Sequence, residues 1–145
     1  MKAVIDICSD LHSELRRLIG GEIWVCTYSL HNDAFEALFK PFKDKFRIHI
    51  LVDCGGIQPA SMTDYKRNLS QIYHSTLHAK LILIKSHFVR NHNSLAYFLT
   101  GNIRQSLVND ENYCIKIGLD PHITTTLLKW LKGIQNNKKN RPFLL

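Results

Sequence analysis

Apolar positions along this chain follow two different periods, and each period predicts its own kind of element. Val4, Ile7, Leu11, Leu15, Leu18 and Ile19 recur at the three- and four-residue spacing of one helix face over 3–19. Gly20 and Gly21 then supply the stop. Segment 22–30, EIWVCTYSL, is instead rich in β-branched and aromatic residues, which pack well on a pleated surface, and predicts a buried strand. A short helix, AFEALFKPF, follows it. Asn32 or Asp33 caps that helix, Phe35, Leu38 and Phe39 face inward, and Pro41 ends or kinks it because proline lacks the N–H a helix interior needs. FRIHILV, at 46–52, is a second strand, and Asp53, Cys54, Gly55 and Gly56 turn the chain.

The second half reads differently. Segment 57–75 is polar and predicts loop mixed with a helical stretch. LHAKLILI, at 77–84, predicts a strand that is apolar on both faces from Leu81 onward, as a strand covered on each side requires. A polar, turn-prone stretch over 85–94 leads to a strand at 95–99, and another strand follows at 112–117. The closing helix spans about 121–133, with Ile123, Leu127, Leu128 and Leu131 as its apolar face. A basic tail occupies about 134–145, tied down only near Phe143. Strands alternate with helices early and cluster in the middle, which predicts one α/β domain over 1–145, with a mixed β-sheet flanked by helices on both faces.

Composition narrows the class. The chain has 145 residues, 45% of them hydrophobic, enough to bury one core. Its formal net charge of +7 favours a polyanionic partner such as nucleic acid, or an anionic membrane surface, although the same excess also serves solubility. Asp6, Asp10, Glu14, Arg16 and Arg17 break up the first segment, so no signal peptide is expected there, and no later run approaches the length of a membrane span. The four cysteines, Cys8, Cys26, Cys54 and Cys114, form no C-x-x-C pair; two sit in apolar strands, as buried thiols of a reducing compartment do. A cytoplasmic protein is expected.

The candidate chemistry begins at His78-Ala79-Lys80. Alternate side chains on a strand share a face, so His78 and Lys80 project together. Each is costly against an apolar sheet without a partner or a function. Downstream, LTGNIRQSLVNDENY places Thr100, Asn102, Ser106 and Glu111 at a strand-to-loop junction, a common position for ligand contacts in an open α/β sheet. Imidazole can attack phosphorus, lysine and asparagine can hold phosphate oxygens, and a carboxylate can orient the imidazole through its other nitrogen. Taken singly, each of these residues is as well explained as a surface pair or a turn. His74 and His78 stand four apart, but the strand reading removes the helical face a metal pair would need. His87 and His92 fall in a polar loop, and His12, His31, His49 and His122 form no constellation.

The run HAKLILIK, then a strand, then LTGN and NDEN resembles the phospholipase D superfamily pattern of H-x-K, strand, G-S-x-N and a downstream N-x-E. His78 and Lys80 match the H-x-K. Thr100 falls on the serine, Asn102 on the asparagine, and Glu111 on the glutamate that braces the histidine in family nucleases. EIWVCTYSLHNDAFEALF resembles the family's first strand and helix and RIHILVD its second strand, so the likeness covers about 18–131. Three positions depart from it: Lys85 stands where the family carries an aspartate, Leu99 replaces the first glycine of the second motif, and Thr100 replaces serine.

The resemblance implies a Nuc-like fold and a metal-independent phosphodiesterase working through a phosphohistidine at His78, with no cofactor and no metal. Lys80, Thr100 and Asn102 would bind the phosphate. Family members bring two H-x-K motifs to one site and this chain has one, so a homodimer with a shared site is implied. A nuclease is the favoured activity, on DNA in preference to RNA, with Lys66, Arg67, Arg90 and Arg104 as nucleic-acid contacts and Lys40, Lys43, Lys45 and the Lys138, Lys139, Arg141 tail as further ones. A catalytically silent nucleic-acid-binding module of the same fold and a lipid phosphodiesterase are the competing readings.

Overall fold

The computed structural model describes residues 1–4, 6–27, 35–52, 69–73, 79–86, 94–101 and 114–136. In chain order the elements are β1 (Lys2–Val4), α1 (Ile7–Arg17), β2 (Gly21–Thr27), a π-helical turn (Phe35–Phe39) running into a 3₁₀ helix (Lys40–Phe42), β3 (Phe46–Val52), β4 (Leu69–Tyr73), β5 (Leu81–Ser86), β6 (Ser94–Leu99), β7 (Cys114–Leu119) and α2 (Pro121–Gln135). The strands form one seven-stranded sheet in the order β1-β7-β6-β5-β2-β3-β4. β2 to β3 and β3 to β4 pair in parallel, whereas β2–β5, β5–β6, β6–β7 and β7–β1 are antiparallel. The sheet is therefore mixed, as the order of elements predicts.

Two cores sandwich the sheet, which explains why β2 and β5 are apolar along their length rather than alternating. On one face α1 contributes Ile7, Leu11 and Leu15 to a cluster with Ile23, Val25, Ile48, Ile50, Ile82, Ile84 and Tyr97. On the other, α2 packs Leu128 and Leu131 against Trp24, Cys26, Leu51, Leu81, Leu83 and Ala96. Cys26 and Cys114 are buried free thiols, pushed up to about 12 and about 11 by burial, so neither is a nucleophile near neutral pH. Cys54 lies outside the described residues.

Several elements differ from the expectation, each for a local reason. The helix predicted from residue 3 starts at Ile7, because Lys2–Val4 pairs with β7 and Asp6 takes the cap, accepting the Ser9 N–H at 3.2 Å. Ile19, predicted inward, is 72% exposed beyond the helix end. β4 lies inside the segment predicted as loop and helix. Among the described residues it is the last strand of the sheet, paired with β3, and its polar Ser70 and Gln71 break the apolar pattern by which the other strands are read in sequence. Segment 35–42 is π followed by 3₁₀ rather than α, with Pro41 in the first turn of the 3₁₀ piece; Leu38 and Phe39 are fully buried as predicted. In α2 the buried position next to the cap is Thr124, not Ile123, because the Thr124 hydroxyl meets Ser94 Oγ at 2.7 Å and donates to the Asp120 carbonyl at 2.8 Å.

Two polar groups, the partly buried Asp10 and the buried His49, set the acid stability. Tyr97 donates its hydroxyl to Asp10 Oδ2 at 2.6 Å, and Lys116 Nζ stands 2.9 Å from the same oxygen. Burial works to raise the Asp10 carboxyl, but the bonds from Tyr97 and Lys116 outweigh it and hold it below its ordinary value. His49 stacks on Trp24 with centroids 4.0 Å apart, and among the described residues its buried Nε2 has no hydrogen-bond partner. Burial lowers its pKa even though the Glu22 carboxylate is 3.8 Å away. A lowered histidine means that the unfolded chain takes up a proton the folded chain refuses, so stability drops as pH falls below about 6.5. The lowered Asp10 adds a further loss as pH falls through the carboxylate range. Urea midpoints measured from pH 8 to pH 3 should fall in these two stages, and His49→Gln should flatten the first; an unchanged first stage in that variant contradicts the assignment.

Candidate active site

The paired register collects one set of strand ends at one end of the sheet. β2, β3 and β4 end there together, Thr27 facing Val52 and Val52 facing Tyr73. β5 begins opposite the end of β2, with Cys26 facing Leu81, and β6 ends opposite the start of β5, with Leu81 facing Phe98. β7 starts beside the end of β6, with Leu99 facing Cys114. Strand ends with their connecting segments are where an open α/β sheet builds its sites.

The two candidate motifs adjoin neighbouring strands at that end. The β5–β6 ladder extends one pair past Leu81, since the Leu99 N–H donates to the Lys80 carbonyl at 3.0 Å. Ala79 packs against the α2-side core, whereas Leu99 packs against the α1-side core with Ile82 and Ile84. Lys80 therefore keeps the α1-side parity of Ile82 and Ile84. It is partly buried, and Thr100 is exposed. The strand predicted from 77 is assigned only from Leu81. His78 immediately precedes Ala79 in the chain and Asn102 immediately follows Gly101; both lie outside the described residues, as does Glu111 between Gly101 and β7.

Of the basic residues singled out in the sequence, Lys66, Arg67, Arg90, Arg104, Lys138, Lys139 and Arg141 lie outside the described residues. Lys45 serves the fold. Its Nζ donates to the carbonyls of Leu15 at 2.8 Å and Arg16 at 3.1 Å, closing the C-terminal end of α1 where a cation meets the negative end of the helix dipole. Lys85 is exposed at the far end of β5 from Lys80, facing Glu22 across the β2–β5 ladder. His12 Nε2 meets the Ala37 carbonyl, and its ring packs edge-on against Phe42, so it joins helix and turn rather than a site. Among the described residues no three His, Cys, Asp or Glu side chains group as metal ligands, and no helix is long and apolar enough to cross a membrane.

Sequence reasoning missed the Asp10, Tyr97 and Lys116 network and the His49–Trp24 stack. Neither carries a motif, because their members come from elements far apart in the chain. The signals were weak: a tyrosine and a lysine of matching strand parity on β6 and β7.

No protein-family model matches the chain, and no curated protein sequence matches it. Solved structures do. The fold is similar to that of Nuc, a phospholipase D family member from Salmonella typhimurium, with TM-score 0.67 and 18% identity over 94% of this chain and 90% of that one. It is similar to NucT from Helicobacter pylori, with TM-score 0.61 and 12% identity over 92% of each chain. It is also similar to TrmBL2, an archaeal chromatin protein with a novel mode of DNA binding, with TM-score 0.61 and 11% identity over 98% of this chain and 53% of that one. The chain shares the mixed α/β fold of Nuc and NucT.

Proposed function

We propose that the protein is a phosphodiesterase that hydrolyses nucleic-acid backbones, DNA in preference to RNA, through a phosphohistidine at a site shared by two copies of the chain. The observation that supports it most is the β5–β6 register, since the bond from Leu99 N–H to the Lys80 carbonyl at 3.0 Å joins Lys80 and Leu99, the residues that flank the undescribed parts of the two motifs, at one end of the sheet.

In this reading a His78 ring nitrogen attacks phosphorus, and the bond to the leaving oxygen breaks as the partner's His78 delivers its proton. Water, deprotonated by that second histidine, then attacks the phosphorus and breaks the P–N bond, which returns His78 and releases a phosphomonoester. Lys80 and Asn102 of both copies neutralise the non-bridging oxygens, and Thr100 adds a hydroxyl donor. Glu111 holds the imidazole in the tautomer that leaves the attacking nitrogen free. The buried thiols Cys26 and Cys114 fit a reducing, cytoplasmic setting.

The donor set supplies charge neutralisation and proton transfer from side chains alone. Cleavage of a plasmid in EDTA should therefore proceed at the rate seen without chelator, and complete loss under chelation contradicts the scheme. The similarity to a chromatin protein favours a second reading, a silent DNA-binding module. Salt-sensitive DNA binding by the wild-type protein without cleavage under any condition selects that reading instead.

A further inference from the structure

A second basic centre stands at the other end of β5. A cleft of ≈ 490 Å³ opens between β5 and the C-terminal half of α2, and its lining includes Lys85, Thr125, Lys129, Lys132, Gly133 and Asn136. Lys129 and Lys132 are three apart on one helix, hence neighbours on its surface, and both are exposed, as is Lys85. Among the described residues no carboxylate lines the cleft. Glu22 faces Lys85 on one side and Arg47 on the other in the strand ladders. That carboxylate is already engaged, accepting the Trp24 indole N–H at 3.3 Å and lying 3.8 Å from His49 Nε2. Three ammonium groups drawn together repel one another unless an anion lies between them.

Lys85 is the position at which the chain departs from the phospholipase D pattern by carrying lysine in place of aspartate. The exchange moves the local charge two units toward positive at this cleft and leaves the Lys80 end untouched, because Lys80 and Lys85 are five residues apart on an extended strand, about 17 Å.

We infer that the Lys85, Lys129 and Lys132 cleft, which opens on the α2 face of the sheet, holds backbone phosphates of a nucleic acid away from the phosphate bound at the Lys80 end. The inference rests on the nucleic-acid reading of the site. A chain of phosphates fits better than a single phosphate, since the cations sit on exposed, flexible stems.

The test compares wild type with the triple variant Lys85→Gln, Lys129→Gln, Lys132→Gln. Affinity for a fluorescent DNA duplex is read across a salt series, and hydrolysis of bis(p-nitrophenyl) phosphate, too short to span the two ends, is read alongside. The triple variant should lose up to about three units of the log–log salt slope and keep its rate on the small substrate. Gly133→Glu is a second variant: a Cβ there meets nothing within 4 Å, so it places a carboxylate in the cleft without strain, and duplex affinity should fall. An unchanged slope together with unchanged affinity in both variants overturns the inference. Wild-type hydrolysis of bis(p-nitrophenyl) phosphate with no duplex binding overturns it together with the nucleic-acid substrate, while the phosphodiesterase chemistry survives. Duplex binding that weakens in the variants supports it even if the small substrate is not turned over, a result that sinks the catalytic reading alone.

Discussion

Replacing His78 with alanine is expected to lower phosphodiester cleavage on the order of 10⁴-fold, with the fold intact and duplex DNA still bound. The size follows from the proposed shared site. In a two-fold dimer a single substitution removes both the nucleophile and the acid that protonates the leaving oxygen, so two contributions vanish together. Binding survives because the phosphates are held by cations, and Lys80 remains beside the start of β5. Lys80→Ala should cost less, about 10² to 10³ in rate, since it removes one electrostatic contact to the developing charge from each copy. Initial rates on a labelled oligonucleotide, with circular dichroism as the folding control, decide this. A His78→Ala protein that cleaves at the wild-type rate removes the histidine from the mechanism.

The largest effect on stability is expected at Gly21, which opens β2 with φ +147°, a backbone conformation L side chains rarely adopt. Its backbone is pressed against β5: an added Cβ would lie 2.1 Å from the Lys85 carbonyl oxygen and 2.9 Å from Ser86 Cα, both backbone atoms with no way to yield. Gly21→Ala therefore either separates β2 from β5, the pairing at the centre of the sheet, or forces the strained φ; the strain alone costs about 1–3 kcal/mol. We expect a loss of about 4 kcal/mol, comparable with the larger core truncations. Gly133→Ala is the internal contrast: in open space on α2 it should raise stability by about 0.5–1 kcal/mol through helix propensity. Equal denaturation midpoints for the two variants contradict the clash.

How far the sequence anticipates the structure depends on how much each segment buries. β3 runs over the predicted residues, and Leu81 to Ile84 are buried on both faces as their unbroken apolar run implies. β4 escapes notice because its sequence, LSQIY, carries polar residues that imitate a loop. β1 is absorbed into the helical pattern because Val4 is three residues before Ile7 and satisfies the same periodicity; Asp6, the cap between them, is the residue that separates the two elements. The pairing of Lys80 with Leu99 is legible because β5 and β6 follow each other in the chain. The Lys85, Lys129 and Lys132 cluster is not, because α2 reaches β5 only through packing on the sheet face. Lys85 reads in sequence as a blemish in a motif; its position at the far end of β5 makes it part of a separate surface.

Everything in the proposed chemistry depends on His78 becoming covalently bonded to phosphorus. The adduct can be sought by acid-free quenching of the protein during turnover of a 32P-labelled oligonucleotide, followed by peptide mapping. An acid-labile, base-stable adduct is expected on the peptide containing His78, and none in His78→Ala. Steady cleavage with no protein-bound phosphorus, or an adduct that maps to another residue, contradicts the phosphohistidine mechanism.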